Sequence, residues 1–421
     1  MIPDSRALIF TLAVVSFLLV SLELPADSRL TLGAFSLGAG VAALALMSAA
    51  ALLGARWQWV ESAFGGLDRV YRTHKWLGVW ALVFASAHLM FKADSDSWTK
   101  AAVLALDPAV ARLARQSGFV ALMLLVLLAL NRNIPYSVWR WWHKLSGLAL
   151  LVVVFHAVSI KSPIALVSPA GVWLAALCGL GLAAAVYKLL LYPLMSRHAA
   201  YEIVAVEHGL SAVHLDLRPL GQPIRFEAGQ FAFLSLSEDG LREPHPFTIA
   251  GGSRPDGRIQ FIIRALGDYT QRLVSSARTG MHADLYAPFG RFERLPDARC
   301  EIWIGGGVGI SPFIAWLTDA DGKHFDRVSL FYFCSPGRDF PEIDSLRMQA
   351  EARGAAFFPV KGGGADPAFG HALDALVFAH PPATTDISFC GPKGLLQAVR
   401  TRMHERGIPA GNIRYEIFGF R

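Results

Sequence analysis

Hydrophobic residues gather in six long runs over the first half of the chain and in short alternating runs over the second. The long runs fall at residues 7–22, 32–53, 74–91, 117–130, 141–160 and 170–192. A bilayer core of about 30 Å takes roughly 20 apolar residues per helix, a length that several of these runs reach only with their Trp and His flanks. They predict six membrane-spanning helices. The stretch after Arg6 has the position of a signal peptide, but it shows no clear small-residue cleavage site and further spans follow, so it reads as the first span. Beyond Pro193 the texture changes. Residues 201–295 carry alternating runs such as Phe-Ala-Phe-Leu-Ser-Leu at 231–236, broken by Gly and Pro, which predict antiparallel strands in a barrel. Residues 298–421 alternate short buried strands (302–304, 328–333, 387–389) with helical stretches, the pattern of an open α/β sheet. The expected layout is a six-helix membrane bundle over 1–196, an antiparallel β-barrel over 197–296 and an α/β domain over 297–421.

Composition agrees with this division. The 421 residues are 53% hydrophobic and 17% charged, against about 25% charged in ordinary soluble proteins, so part of the chain lies in a lipid bilayer. The net charge of +6 does not indicate nucleic acid, because no basic tract carries interleaved aromatics; basic loops flanking spans account for it. The four cysteines, Cys178, Cys300, Cys334 and Cys390, form no Cys-x-x-Cys pair, so neither a zinc site nor a disulfide framework is indicated.

Four of the thirteen histidines lie in or at the edge of apolar runs: His74 and His88 in the third, His143 and His156 in the fifth. One such histidine serves equally well as a satisfied interfacial residue. Four in two helices point to function, because polar side chains in lipid are costly. His74 and His88 are 14 residues apart, nearly four turns, so they share a face at roughly 21 Å separation. His143 and His156 are 13 apart, or roughly 20 Å. Two helices so furnished can clamp two stacked haems, His74 with His143 and His88 with His156, each iron taking one imidazole from each helix. Such sites leave no open iron position and suit electron transfer. Thirteen residues of ideal helix rotate the second histidine about 140° from the first, so the fifth span must deviate locally, with Gly147 a soft point, or its ligands must approach the haems from different flanks.

Two stretches of the barrel region suit a dinucleotide. His245-Pro246-Phe247-Thr248 closes a strand, and Arg264-Ala265-Leu266-Gly267-Asp268-Tyr269-Thr270 opens a helix, bringing an Arg, a Gly and backbone donors to a helix N-terminus as a pyrophosphate requires. Each alone is also an ordinary turn. A glycine-rich run, with Gly305, Gly306, Gly307 and Gly309, follows the apolar strand at 302–304 and precedes a helix, where backbone can approach phosphates. Cys390-Gly391-Pro392 forms a turn after the strand at 387–389.

With these motifs in this order, the chain from about residue 72 onward resembles the NADPH oxidase and ferric reductase superfamily, prokaryotic NADPH oxidases in particular, whose soluble half is similar to ferredoxin-NADP reductases. The resemblance implies that His245, Pro246, Phe247 and Thr248 cradle the isoalloxazine and ribityl of FAD, and that Arg264, Gly267, Tyr269 and Thr270 take its pyrophosphate side. It implies that Gly305, Gly306, Gly307 and Gly309 hold the phosphates of NADPH, with Cys390 and Gly391 near the nicotinamide. Ser335 and Arg338 match the place where the family binds the adenosine 2′-phosphate, and Asp339 beside them suggests that NADH is accepted too. Phe418, with Phe420 in reserve, matches the terminal aromatic that stacks on the flavin.

The expected activity is transmembrane electron transfer from cytosolic NADPH, through FAD and two b-type haems, to oxygen on the outer side, producing superoxide. Ferric-chelate reduction and electron relay to a periplasmic protein are the alternatives. Lys92, one turn after His88, either attracts the forming anion or snorkels to the interface. The second span is uncharged from Thr31 to Ala55, which speaks against an oxygen-site arginine there. A bacterial inner-membrane location with the FAD and NADPH domains in the cytoplasm follows from the use of a cytosolic dinucleotide and from eight inner against six outer basic residues. No EF-hand loop or Pro-rich tail suggests a regulatory subunit.

Overall fold

Aliphatic content and helix caps set out the first half of the computed structural model, which describes residues 4–131, 133–294, 298–334 and 343–416. The chain divides into two units, one up to Met195 and one from Ser196 onward. In the first, α1 (Ser5–Glu23), α2 (Leu32–Gly54), the short α3 (Gln58–Phe64), α4 (Leu67–Met90) and α5 (Pro108–Leu130) are followed by α6 (Tyr136–His143), α7 (Ser146–Ser159), α8 (Pro169–Val186) and the single turn α9 (Tyr192–Met195). Side chains cap the starts: Asp4, Thr31, Asp107 and Ser168 each accept from an N–H of the first turn, and Pro108 and Pro169 follow the last two. These are residues that satisfy or lack the donors a helix start leaves unpaired. Helix α2 is the centre of the bundle, packed by α1, α4 and α8.

Among the described residues, five segments are long and apolar enough to cross a bilayer: Ser5–Glu23, Leu32–Gly54, Pro108–Leu130, Val138–Ser159 and Pro169–Leu191. The third expected span, α4, is not among these five but has 24 residues, about 36 Å at 1.5 Å per residue. Its entry turns carry Asp68, Arg69, Arg72 and Lys75, so it reaches span length without span composition.

The fifth span is broken, the first of the two outcomes the 13-residue spacing allows, but at Lys144–Leu145 rather than at Gly147. Lys144 N–H bonds to the Trp141 carbonyl at 3.2 Å and Leu145 N–H to the Trp142 carbonyl at 3.0 Å. These three-residue bonds turn the chain by about 120° per residue instead of about 100°, which recovers part of the missing rotation. Gly147 has a packing role instead: a Cβ there would lie 2.8 Å from Leu189 Cδ1 on the α8 side.

In the second unit, β1 (His198–His208), β2 (Ala212–Pro219), β3 (Phe231–Leu236), β4 (His245–Thr248), β5 (Ile259–Arg264) and β6 (His282–Phe289) make an antiparallel sheet in the order β4-β3-β6-β1-β2-β5, with α10 (Asp268–Ser276) between β5 and β6. Ile249, just after β4, bridges Phe261 of β5, so the two edges meet and the sheet is nearly closed around Tyr201, Leu215, Leu234, Phe261 and Leu285. A five-stranded parallel sheet follows in the order β11-β10-β7-β8-β9. It comprises β7 (Cys300–Gly306), β8 (Val328–Phe333), β9 (Ala356–Val360), β10 (Thr385–Cys390) and β11 (Ile413–Glu416), with α11 (Ser311–Thr318), α12 (Ile343–Ala352), α13 (Pro367–Ala379) and α14 (Lys393–Glu405) between strands. Every residue of β7 and β8 is buried, as befits parallel strands covered on both faces. Trp303, Phe313 and Leu330 fill one face; Ile302, Phe331 and Phe389 fill the other.

Candidate functional site

The four intramembrane histidines fall into two pairs. On α4, His74 Nδ1 lies 2.7 Å from the Ala50 carbonyl and His88 Nδ1 lies 2.8 Å from the Ser36 carbonyl, both on α2. A carbonyl only accepts, so each Nδ1 carries the proton and each Nε2 keeps a free lone pair. Metal-ligating histidines are commonly held in this way. Across from α4, the His143 ring lies 5.8 Å from the His74 ring, centroid to centroid, at 75°, and Trp139 stacks on His143 at 5.2 Å. His156 and His88 lie within electrostatic reach of each other and of Arg115 on α5. The Nδ1 atoms of His143 and His156 are buried without a hydrogen-bond partner among the described residues.

This donor set fits iron in a macrocycle. Metal–imidazole bonds are about 2 Å, so two of them with the inner halves of two rings take up roughly 6 Å, close to the His74–His143 separation. Among the described residues no group of three or more His, Cys, Asp or Glu could hold a metal ion by itself. A metal held there by two imidazoles would take its remaining ligands from outside those residues, as a porphyrin would supply them.

Lys92, exposed beyond the end of α4, pairs with Asp94 at 2.6 Å. Asp94 also pairs with Lys100, and the two lysines, Lys100 first, hold its carboxyl down to about 2. The charge of Lys92 is thus partnered rather than free beside His88.

In the barrel, His245-Pro246-Phe247-Thr248 is β4 itself, paired to β3 with His245 opposite Leu234 and Thr248 opposite Phe231. The His245 ring stacks on Tyr269 of α10 at 3.7 Å and 22°, and His245 Nε2 lies 3.8 Å from Glu243 Oε1. Tyr269 donates to the Leu241 carbonyl at 3.2 Å; burial, then the Glu243 charge, pushes its hydroxyl well above the usual range. Thr270 Oγ1 accepts from Leu266 N–H at 2.9 Å and Gly267 N–H at 3.0 Å. Its hydroxyl therefore shapes the loop that enters α10.

Arg264 closes β5, and one of its guanidinium nitrogens lies 3.4 Å from where a Cβ would stand on Gly307. Gly307 has φ +57°, a left-handed conformation that glycine adopts without strain. A Cβ on Gly309 would lie 2.2 Å from the Cys390 carbonyl, and Gly306 packs on Gly391 and Pro392, since Gly305 and Cys390 are register partners on adjacent parallel strands. The glycine-rich loop, the Cys-Gly-Pro turn and Arg264 are thereby brought together at the C-terminal ends of β7 and β10. Cys390 is fully buried, and burial, then the Glu416 charge, keeps its thiol protonated, well above the ordinary range. It is a neutral group here, not a thiolate. Ser335, Arg338, Phe418 and Phe420 lie outside the described residues.

Sequence reasoning missed the acceptors Ser36 and Ala50, which act through main-chain oxygens, and Arg115, which counted only as a loop charge. A cation seven residues inside α5 was the available signal for the last.

Comparison with known proteins assigns the two halves. Residues 39–154 match the family model "Ferric reductase like transmembrane component" and residues 202–299 match "FAD-binding domain". The chain is similar to a flavohemoprotein of Burkholderia sp. (strain TH2), 30% identical over 214 residues, covering 48% of this chain and 54% of that protein. It is also similar to human dual oxidase 1, 30% identical over 143 residues, which are 30% of this chain and 9% of that protein. A solved Amycolatopsis cytochrome P450 reductase aligns with TM-score 0.45 at 23% identity, over 53% of this chain and 70% of that one. The chain spans about half the length of the flavohemoproteins it matches. A ferric-reductase-like membrane component joined to an FAD-binding reductase half marks an integral membrane protein, and the combination is consistent with the NADPH oxidase and ferric reductase superfamily.

Proposed function

We propose that the protein moves electrons across a membrane, from NADPH on the cytoplasmic side of a bacterial inner membrane to oxygen on the outer side, producing superoxide. The observation that carries this reading is the two-tier histidine arrangement, with His74 and His88 each fixed to a carbonyl of α2. When bound, FAD and two b-type haems supply the redox chemistry, and the protein supplies position and electrostatics. His74 with His143 would hold the inner haem and His88 with His156 the outer one.

The remaining residues bind and orient. His245, Pro246, Phe247 and Thr248 form a wall for the flavin; Arg264, Gly267, Tyr269 and Thr270 build the pyrophosphate side. Gly305, Gly306, Gly307 and Gly309 admit the dinucleotide phosphates, while Cys390 and Gly391 back the nicotinamide with an uncharged, dry surface. Ser335 and Arg338 would meet the 2′-phosphate, so NADPH is favoured and NADH accepted, and Phe418 would cover the flavin. The pairing of Lys92 with Asp94 favours an interfacial role for that lysine over an anion-attracting one.

Purified protein supplied with NADPH and FAD tests the reading through cytochrome c reduction with and without superoxide dismutase, beside reduction of a ferric chelate. Dismutase-sensitive reduction is expected. Faster ferric-chelate reduction without superoxide would move the protein to the metal reductases, a reading favoured by the ferric-reductase likeness of residues 39–154.

A further inference from the structure

Helix α2 carries a repeated pattern against the two histidines of α4. The carbonyls that receive the imidazole N–H groups belong to Ser36 and Ala50, and their numbers differ by 14, as do those of His74 and His88. Four residues after each carbonyl stands a glycine, Gly40 and Gly54. In an α-helix the carbonyl of residue i faces the N–H of residue i+4, so a glycine stands over each shared acceptor.

The clearances differ. A Cβ on Gly40 would lie 2.8 Å from Nδ1 of His88 and 3.0 Å from its Cε1, whereas a Cβ on Gly54 would come no closer than 3.6 Å to His74. The first distance is a clash on the hydrogen-bonding atom itself; the second is ordinary van der Waals contact. Ser36 adds to the outer tier, its hydroxyl lying 3.2 Å from His88 Nδ1 and 2.7 Å from the Phe91 carbonyl.

We propose that Gly40 is a positioning residue for the outer haem. Its missing side chain lets His88 reach the Ser36 carbonyl, which fixes the proton on Nδ1 and turns the Nε2 lone pair to the iron; Gly54 has no such strict role at the inner haem. This inference rests on the bis-histidine reading above. A side chain at position 40 displaces the ring and breaks the N–H···O bond. That bond makes the imidazole a more basic ligand, which favours ferric iron, so its loss raises the outer haem's potential or releases the haem.

The test uses the full-length protein purified with its haems, followed by haem-to-protein ratio, low-spin EPR of the oxidised form and an optical redox titration. Wild type should contain two low-spin haems; if it does not, the bis-histidine reading and this inference fall together. Given two haems, Gly40→Ala should raise one of the two midpoint potentials and shift its EPR signal, or lower the haem content from two towards one. Gly54→Ala should change both much less. Gly179→Ala on α8, where nothing lies within 4 Å, is the control for adding a methyl group to the bundle. An unchanged Gly40→Ala protein, or equal responses at positions 40 and 54, overturns the inference while leaving the haem reading standing. Ala is the better helix former, so α2 itself is not weakened. Should Gly40→Ala fail to assemble, proton ENDOR of wild type after exchange into D2O decides the matter. The outer haem should show two inequivalent imidazole N–H protons, one shifted by the hydrogen bond of His88 to the Ser36 carbonyl; two equivalent imidazoles overturn it.

Discussion

The membrane half holds its candidate ligands inside helices, and the reductase half holds its own at the ends of strands. Within a helix, position along the axis and direction around it are set by residue count, so each histidine acts through one side chain that no neighbour can replace. At the strand ends, phosphates would be met mainly by main-chain N–H groups and by the absence of side chains, with Arg264 as a charged supplement. Ligation in the membrane should therefore fail all at once on a single change, while dinucleotide binding should weaken in steps.

The sharpest way to break this comparison is to remove an outer ligand. His88→Ala or His156→Ala should lower the haem content from two per chain to one and abolish transmembrane electron transfer, while NADPH oxidation with a soluble flavin acceptor survives; haem assay and ferricyanide reduction check both. Two retained haems would show that the pairs are not ligands. Next in size is Arg264→Ala. Losing a charge-assisted bond costs roughly 1.5–3 kcal/mol, so FAD should bind about ten- to a hundredfold more weakly, read by flavin retention on dilution. Because Arg264 also faces Gly307, NADPH affinity should fall with it. Arg338→Ala should raise the Michaelis constant for NADPH within the same range and leave NADH nearly untouched; equal losses with both would assign Arg338 to the fold.

The smallest effect belongs to the outer loop. Lys92→Ala removes one arm of an exposed ion pair, and such pairs contribute little, so superoxide production should stay within severalfold of wild type. The Asp94 carboxyl is depressed to about 2, below its unfolded value near 4. A carboxyl shifted downward contributes its stabilisation above the unfolded value and loses it as pH falls through the folded one. The loop should thus be indifferent to pH between 5 and 9 and loosen only towards pH 2, which protease cleavage between Phe91 and Asp107 would report. A tenfold loss of superoxide in Lys92→Ala would restore that lysine to the acceptor site.

How much of this was legible in the sequence follows from the same contrast. The histidine spacings were readable because helical periodicity turns residue number into geometry. The carbonyls of Ser36 and Ala50 were not, since every residue has a carbonyl and only the packing of α2 on α4 selects two. The need for a distortion between His143 and His156 could be computed, but its place could not, because the three-residue bonds at Lys144 and Leu145 arise from ordinary residues while Gly147 was already taken up by Leu189. The third span was legible at 74–91, but the first two turns of α4 were not, because Asp68, Arg69, Arg72 and Lys75 interrupt the apolar pattern there. In the reductase half the glycine-rich loop stood out by composition. The approach of Arg264 to Gly307 joins residues 43 positions apart and appears only once the barrel and the parallel sheet have folded.

The single bridge from Ile249 to Phe261 bears on how this protein avoids its own copies. A sheet with open margins offers rows of unpaired N–H and C=O groups onto which another chain can add a strand. With β4 and β5 drawn together, the barrel presents little of that template. The parallel sheet does keep two margins, but β11 has four residues and β9 carries Pro359, which lacks a donor and is suited to an edge. In a protein crowded at a membrane surface, where soluble halves meet often, such blunted margins let neighbours collide without zipping together.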